Sequence, residues 1–183
     1  LSPFLLFDTG GFGLITGQMI GRWGNFFNRE AFGEYTNGLF AMRLPVDAVR
    51  SSDITTKMWN HAETVKGVMY IQVHPTYLYE SLWCLLGFVL LAIFAKKIRR
   101  YDGQIFLIYI CWYGAERAVV ESLRTDSLVI GNVRVSQILA ITCVVISIIL
   151  QIAIGTKVKR MGVDYRMYKD TNESKQMLAE YEA

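Results

Sequence analysis

Three clusters in this sequence have residue types and spacings suited to gripping an anion. The first is Gly21-Arg22-Trp23-Gly24-Asn25-Phe26-Phe27-Asn28-Arg29-Glu30, closed by Gly33. Arg22, Asn25 and Asn28 offer donors for phosphate or ester oxygens. Gly21 and Gly24 let a backbone or ligand approach closely, and Trp23, Phe26 and Phe27 suit an aromatic belt at headgroup level. A snorkelling arginine among interfacial aromatics is the plainer account of Arg22 alone. It does not cover two asparagines, Arg29 and Glu30 within so few residues, which are costly near lipid unless they pair or bind something. The second cluster is Tyr113, Glu116, Arg117, Glu121 and Arg124. At ~100° per residue, Tyr113, Arg117, Glu121 and Arg124 fall within an arc of roughly 80° on one helix face. Glu121 follows Arg117 by one turn, so the two are spaced to bridge. The third is His74-Pro75-Thr76-Tyr77-Leu78-Tyr79-Glu80. Pro75 fits the first turn of a helix, His74 can titrate or donate to a phosphate, and Glu80 is placed to pair with an arginine from another segment.

Gathered on one side of a fold, Arg22, Arg117 and Arg124 would have Glu30, Glu80 and Glu121 as counter-charges. Arginine presents a planar donor fork and stays ionised, which is what a departing phosphate requires as its charge develops. The residues themselves therefore suggest an anionic phospholipid as substrate or tightly held ligand.

The elements that must position these clusters read as membrane spans. The chain has 183 residues, is 52% hydrophobic and carries a formal net charge of +3, with a mean hydropathy of +0.28. Composition leans only mildly toward a membrane protein; the arrangement decides it. Val135 to Thr156 contains no charged residue and would measure ~33 Å as a helix, enough for a ~30 Å hydrocarbon core. Pro3 to Gly21 is a second candidate, interrupted by Asp8 and several glycines. Thr76 to Ala95 is a third, with Glu80 its one charge, and Gln104 to Val120 a fourth, carrying Glu116 and Arg117. The expected fold is an all-α polytopic transmembrane bundle of about four spans over residues 1–156. An external loop or subdomain is expected at about 34–73, and a charged tail at 157–183. Tyr101-Asp102-Gly103 would turn two spans into an antiparallel hairpin.

Basic residues orient the bundle. Lys96, Lys97, Arg99 and Arg100 follow one span, and Lys157, Lys159 and Arg160 follow the last. Both groups are expected in the cytoplasm with the carboxy terminus, which leaves residues 22–75 and 121–134, and all three clusters, on the outer side. Cys84, Cys111 and Cys143 lie in apolar stretches without paired spacing and read as buried free thiols. Two histidines, His61 and His74, without ligand spacing give no metal site; no cofactor and no nucleic-acid partner are expected. The chain opens on Leu1 and runs straight into apolar sequence without the marks of a signal peptide, so further sequence is expected upstream.

At these motifs the sequence resembles the bacterial prolipoprotein diacylglyceryl transferase family. The resemblance runs through Gly21 to Gly33, His74 to Glu80 and Tyr113 to Arg124, reaches Ser136-Gln137, and covers about residues 10–155. It implies a multi-pass enzyme of the bacterial plasma (inner) membrane, of about seven spans when complete, with an active site open to the outer leaflet. Such an enzyme moves the diacylglyceryl group of phosphatidylglycerol to the lipobox cysteine thiol of a prolipoprotein. A thioether forms and glycerol phosphate is released, the first step of lipoprotein maturation. By position, the resemblance implies catalytic roles for Arg22, Arg117 and Tyr113. It implies substrate binding by Asn25, Asn28, Glu30, Gly33, His74, Glu121 and Arg124. The family also carries a His-Gly-Gly motif in an earlier span, whose histidine is a candidate base for the thiol. No His-Gly occurs here, so the base is not named, and this stretch alone is expected to be inactive. A non-catalytic transporter module or lipid-binding scaffold is the alternative. It would place its polar groups near the bilayer midplane rather than toward one side. Another phospholipid enzyme, such as a phosphatidyl transferase, would call for acidic metal-ligand clusters that the sequence lacks.

Overall fold

The computed structural model describes residues 2–123, 129–130 and 133–182. Four long helices dominate it: α1 (Pro3–Asn28), α3 (Thr76–Lys97), α4 (Gln104–Leu123) and α5 (Val135–Met161). Short helices α2 (Thr56–Asn60) and α6 (Asn172–Glu182) lie between α1 and α3 and in the tail. At ~1.5 Å per residue the long helices measure roughly 30–40 Å. Among the described residues, α3 and the helical stretch opening at Val135 are long and apolar enough to cross a membrane. α1 and α4 carry Asp8, Gln18, Arg22, Glu116, Arg117 and Glu121 within their lengths, which lowers their hydropathy. α1 runs on through the first motif to Asn28 instead of stopping at Gly21. It closes where Arg29 turns left-handed (φ 53°, ψ 45°) and Glu30 N donates to Asn25 O at 3.1 Å, a Schellman-type cap.

The all-α expectation needs correction, because two small sheets are present. β1 (Met42–Pro45), β2 (Glu63–Val65) and β3 (Val68–Val73) pair antiparallel in the order β1-β3-β2. β4 (Val129–Ile130) pairs with β5 (Val133–Arg134). The β2–β3 hairpin turns through Lys66 (φ 51°) and Gly67 (φ 81°), the pair of positive φ values that a tight two-residue hairpin needs. These strands support a lobe with its own core of Phe32, Leu44, Ile54, Met58, Ile71 and Val73. Thr55 caps α2 by accepting from Met58 N at 3.2 Å.

A second core, built on Ile15, Cys84, Leu91, Ile105 and Tyr109, lies where α1, α3 and α4 meet. α5 packs on α4, where Gly114 allows a close crossing: a Cβ there would sit 2.8 Å from Val144 Cγ2. Polar groups at this crossing find carbonyl partners, as an interior without water demands. Gln137 Nε2 donates to Ala118 O at 2.9 Å, and the Ser147 hydroxyl donates to Leu107 O. The opposite faces are apolar and open. Leu82, Leu86 and Ile93 on α3 and Leu139, Ile149 and Ile152 on α5 are each about half exposed or more. Faces this apolar call for lipid or another apolar partner. All three cysteines are free; Cys84 is buried and the other two half-buried.

At the end of the bundle away from the lobe, Asp8 of α1 caps α4. Its carboxylate accepts from Gly103 N at 2.8 Å and Phe106 N at 3.0 Å and pairs with Arg99 at 3.0 Å. Arg99 also pairs with Asp102, which accepts from Tyr168 N of the tail at 2.7 Å.

Candidate active site

The lobe end of the bundle gathers the arginines. Arg22 stands on α1, about 9 Å of helix rise from its carboxy end, and Arg117 stands about the same distance from the carboxy end of α4. Glu80 lies on the second turn of α3, at the same level. Antiparallel packing of α3 against α1 and α4 therefore brings the three side chains together. Arg22 Nη1 lies 3.3 Å from Glu80 Oε2, and Arg117 Nη1 donates to Glu80 Oε1 at 3.3 Å. One fully buried carboxylate thus holds both guanidinium groups. The remaining terminal nitrogens are engaged as well. Arg22 Nη2 donates to the Tyr113 hydroxyl at 3.1 Å, and Arg117 Nη2 donates to Glu121 Oε2 at 2.6 Å. The expected one-turn bridge between Arg117 and Glu121 is therefore present, and so is the expected pairing of Glu80 with an arginine from another helix. Both arginine side chains keep some contact with the surface, at 16% and 19% exposure. A guanidinium has five N–H donors, so each retains donors for an incoming anion.

Around this core the tyrosines form a ladder. Tyr109 stacks on Tyr113 with ring centres 6.1 Å apart, and Gln18 Nε2 donates to the Tyr109 hydroxyl at 2.9 Å. Trp23 Nε1 donates to Ser81 Oγ at 3.2 Å, which in turn donates to Met19 O at 3.0 Å, so α1 and α3 are tied beside Arg22. Glu121 also fixes the chain toward α5 through its carbonyl, which accepts from Arg134 Nη1 at 2.7 Å.

The other motif residues are distributed at different depths. Asn25 follows Arg22 by one turn of α1, and its carbonyl serves the helix cap. Asn28 and Glu30 lie beyond the arginine pair and bond to each other at 3.0 Å, and Glu30 also faces Arg50 at 3.9 Å. Gly33 N donates to His74 O at 3.0 Å. A Cβ on Gly33 would lie 2.8 Å from His74 Cβ and 3.0 Å from Leu123 O, so this glycine lets the lobe seat on the starts and ends of α3 and α4. His74 Nδ1 lies 3.2 Å from the Tyr79 hydroxyl. The Thr76 hydroxyl donates to Ala31 O. Arg124 lies outside the described residues.

The residue that sequence arithmetic left aside is Glu116. It is only 4% exposed, and neither carboxylate oxygen has a hydrogen-bond partner. Its signal was visible as an acid inside an apolar helix, a placement that is costly and usually functional. Its position off the Tyr113–Arg117–Glu121 stripe kept it out of the predicted anion-binding set. Among the described residues, no group of three His, Cys, Asp or Glu side chains could hold a metal ion.

Fold and site together define a class: an apolar-faced helical bundle that keeps a shared arginine–carboxylate cluster inside one end, roofed by a small mixed lobe. Residues 1–153 match the prolipoprotein diacylglyceryl transferase family, and the chain belongs to it. It is similar to proteins named phosphatidylglycerol–prolipoprotein diacylglyceryl transferase. The one from Bacillus cereus is 41% identical over 81% of this chain and 50% of its own length. That from Limosilactobacillus reuteri is 40% identical over 83% and 51%, and that from Listeria welshimeri 44% identical over 74% and 44%. The chain spans about half the length of the curated relatives it matches. No solved structure matches it.

Proposed function

We propose that this chain carries the headgroup site of a phosphatidylglycerol–prolipoprotein diacylglyceryl transferase. The observation that carries the reading is the convergence of Arg22 and Arg117, from two different helices, on Glu80 beside Tyr113. The phosphate of phosphatidylglycerol takes the free donors of the two guanidiniums or replaces Glu80 on them. The thiolate of the lipobox cysteine attacks the glycerol carbon that bears the phosphate. The C–S bond forms as the C–O bond breaks, and the electron pair leaves on glycerol phosphate, whose growing charge the arginines stabilise. A free cysteine has a pKa of ~8.5, so the same positive charges also favour the thiolate. Asn25, Asn28, Glu30, His74 and Arg124 line the approach of the lipid and the prolipoprotein from the lobe side, and Gly33 holds that side in register.

α1, α3, α4 and α5 are four spans of a multi-pass protein of the bacterial plasma membrane. The lobe and the site face outward, and the carboxy terminus is cytoplasmic. Support comes from the basic runs Lys96–Arg100 and Lys157–Arg160 at the end away from the lobe, and from the apolar faces of α3 and α5. The ionisable groups of α1 and α4 largely pair within the bundle, which leaves their outer faces compatible with lipid.

The test is transfer by the complete protein. Arg22→Lys and Arg117→Lys keep the charge and lose the planar fork; each is expected to lower kcat about 10²-fold, the size of a lost transition-state donor. Assays at several pH values separate the two roles. Arg22→Gln and Arg117→Gln, which remove the charge as well, shift the profile to higher pH if the thiolate is favoured by that arginine, and give a loss uniform in pH if only the leaving phosphate is held. Unchanged rates at every pH with all of these variants would refute the assignment.

A further inference from the structure

The lobe presents two turns at its opposite ends. β3 runs toward the bundle and enters α3 three residues after Val73, so the Lys66-Gly67 hairpin lies at the other end of the strand, ~17 Å away along it. At its bundle end β3 is flanked on both sides by earlier chain. Tyr35 pairs with Val73 on one side and Met42 pairs with it on the other, while Thr36 N donates to Gln72 O. The connection 37–41 must therefore cross β3 at the level of Gln72 and Val73, next to the start of α3. It does so as a tight turn: Gly38 N donates to Thr36 Oγ1 at 3.1 Å, and Ala41 N donates to Gly38 O at 3.0 Å.

The tip of that turn is Leu39-Phe40. Leu39 is 93% exposed and Phe40 63%, the barest apolar pair on the lobe. Leaving both side chains in water forgoes the stabilisation that burying two large apolar side chains provides. At the same end of the bundle α1 exposes Phe27 and Trp23; Trp23 packs edge to face with Phe26 and Tyr77, and Phe26 lies tilted against Tyr77. Amphipathic rings gathered at one level mark a membrane–water interface. The far hairpin shows Val65, Val68 and Met69, but these are covered over more than half their surface and flank an exposed lysine. Thus the lobe's most exposed apolar pair lies at its bundle end, level with the aromatic group.

We infer that the Leu39-Phe40 turn is a membrane-anchoring site, inserting its two side chains into the headgroup and upper acyl layer of the lipid surface beside α1 and α3. It holds the lobe down over the arginine pair at the depth where a phospholipid headgroup sits. The inference rests on the reading that α1 and α3 span a membrane. The occupant is the lipid surface itself rather than a protein segment, because the turn lies at the lobe's bundle end, the end at which α1 exposes Trp23 and Phe27 as an interfacial aromatic belt does.

The test reconstitutes the complete protein, freed of its other cysteines, into phosphatidylglycerol–phosphatidylcholine vesicles. An environment-sensitive fluorophore is attached at one position at a time after Phe40→Cys, Lys66→Cys or Leu86→Cys. Quenching by nitroxide-bearing lipids and by aqueous iodide is then read. The expected result is strong lipid quenching at positions 40 and 86, several-fold above that at 66, with iodide quenching the reverse. Lipid quenching at 86 but iodide quenching at 40 overturns the anchor and leaves the spans standing. Shielding of 40 from both quenchers also overturns it, because a protein segment then covers the turn. Iodide quenching at 86 defeats the membrane reading on which the anchor rests.

Discussion

The bundle holds an arginine–carboxylate network at each end, and the two are wired differently. At the end away from the lobe, Asp8 takes two of its hydrogen bonds from backbone amides, those of Gly103 and Phe106, and Asp102 takes one from Tyr168 N. Arg99 joins the two acids. Backbone amides cannot swing away, so these bonds fix the amino end of α4, the turn before it and the tail in one arrangement. Among the described groups there, the Tyr101 hydroxyl is buried without a partner; burial, with Asp8 adding to it, holds that hydroxyl above the usual phenol range. At the lobe end Arg22, Glu80 and Arg117 are joined to one another, to Tyr113 and to Glu121 through side chains. Glu80 Oε2 is 3.3 Å from Arg22 without hydrogen-bond geometry, and both oxygens of Glu116 and the amide oxygen of Gln18 are buried without hydrogen bonds. A network of side chains with spare donors and acceptors can exchange one partner for another. One end is wired as a staple, and the other has the exchangeable wiring that the proposed headgroup site requires.

The largest effect is expected at the shared carboxylate. Glu80→Ala removes the buried anion that two partly buried guanidiniums share, and breaking a buried pair costs roughly 3–5 kcal/mol, an upper figure here because both arginines keep some contact with solvent. Thermal or denaturant unfolding of the complete protein in detergent reads this directly. Added phosphate or phosphatidylglycerol is expected to restore part of the loss, because an external anion would occupy the place of Glu80. If stability falls and no anion recovers any of it, Glu80 is a structural member only and the two ends are alike after all.

A smaller effect is expected at the staple. Asp8→Asn keeps one carbonyl acceptor but gives up the charge facing Arg99 and leaves an amide N–H₂ against a backbone donor. The expected cost is about 1–3 kcal/mol of stability. Transfer per folded molecule should not change, since Asp8 touches only the end away from the arginine pair. A fall in kcat with the fold intact would mean that the ends communicate through α1 and α4.

Much of this contrast was legible in the sequence, and the missing parts have a common cause. α3, α4 and α5 begin where apolar patterning puts them and end within a turn or so of the expected Ala95, Val120 and Thr156, because long uncharged runs leave little choice. Arg117 with Glu121 was legible because the spacing is local. Glu80 with an arginine was legible as chemistry, since an acid in a span needs a partner, although two arginines on one carboxylate required the packing. Asp8 read as an interruption of the first span. Its role as a cap depends on Gly103 and Phe106, far along the chain, for which no local signal exists. The sheet was missed because β1 and β2 are four and three residues long and sit in a polar stretch, where so few alternations do not stand out. Lys66-Gly67 between Val65 and Val68 was the available clue, weaker than an Asn-Gly or Asp-Gly pair.

The smallest effect is expected where the same pair of residue types meets in water. Arg43 Nη2 lies 3.2 Å from Glu63 Oε2 across the lobe's outer surface, with side chains 55% and 64% exposed. The contact resembles those at Glu80 in chemistry and length, so it isolates what burial adds. Exposed pairs are screened by solvent and salt, and the coupling between Arg43 and Glu63 in a double-mutant cycle with Ala is expected to be below about 1 kcal/mol. It should fade further as salt is raised, while the effect of Glu80→Ala stays nearly constant, because salt does not reach a buried pair to the same extent. A surface coupling as large and as salt-resistant as the loss at Glu80 would remove seclusion as the property that sets the site apart, and with it the reason for reading a headgroup pocket into that end of the bundle.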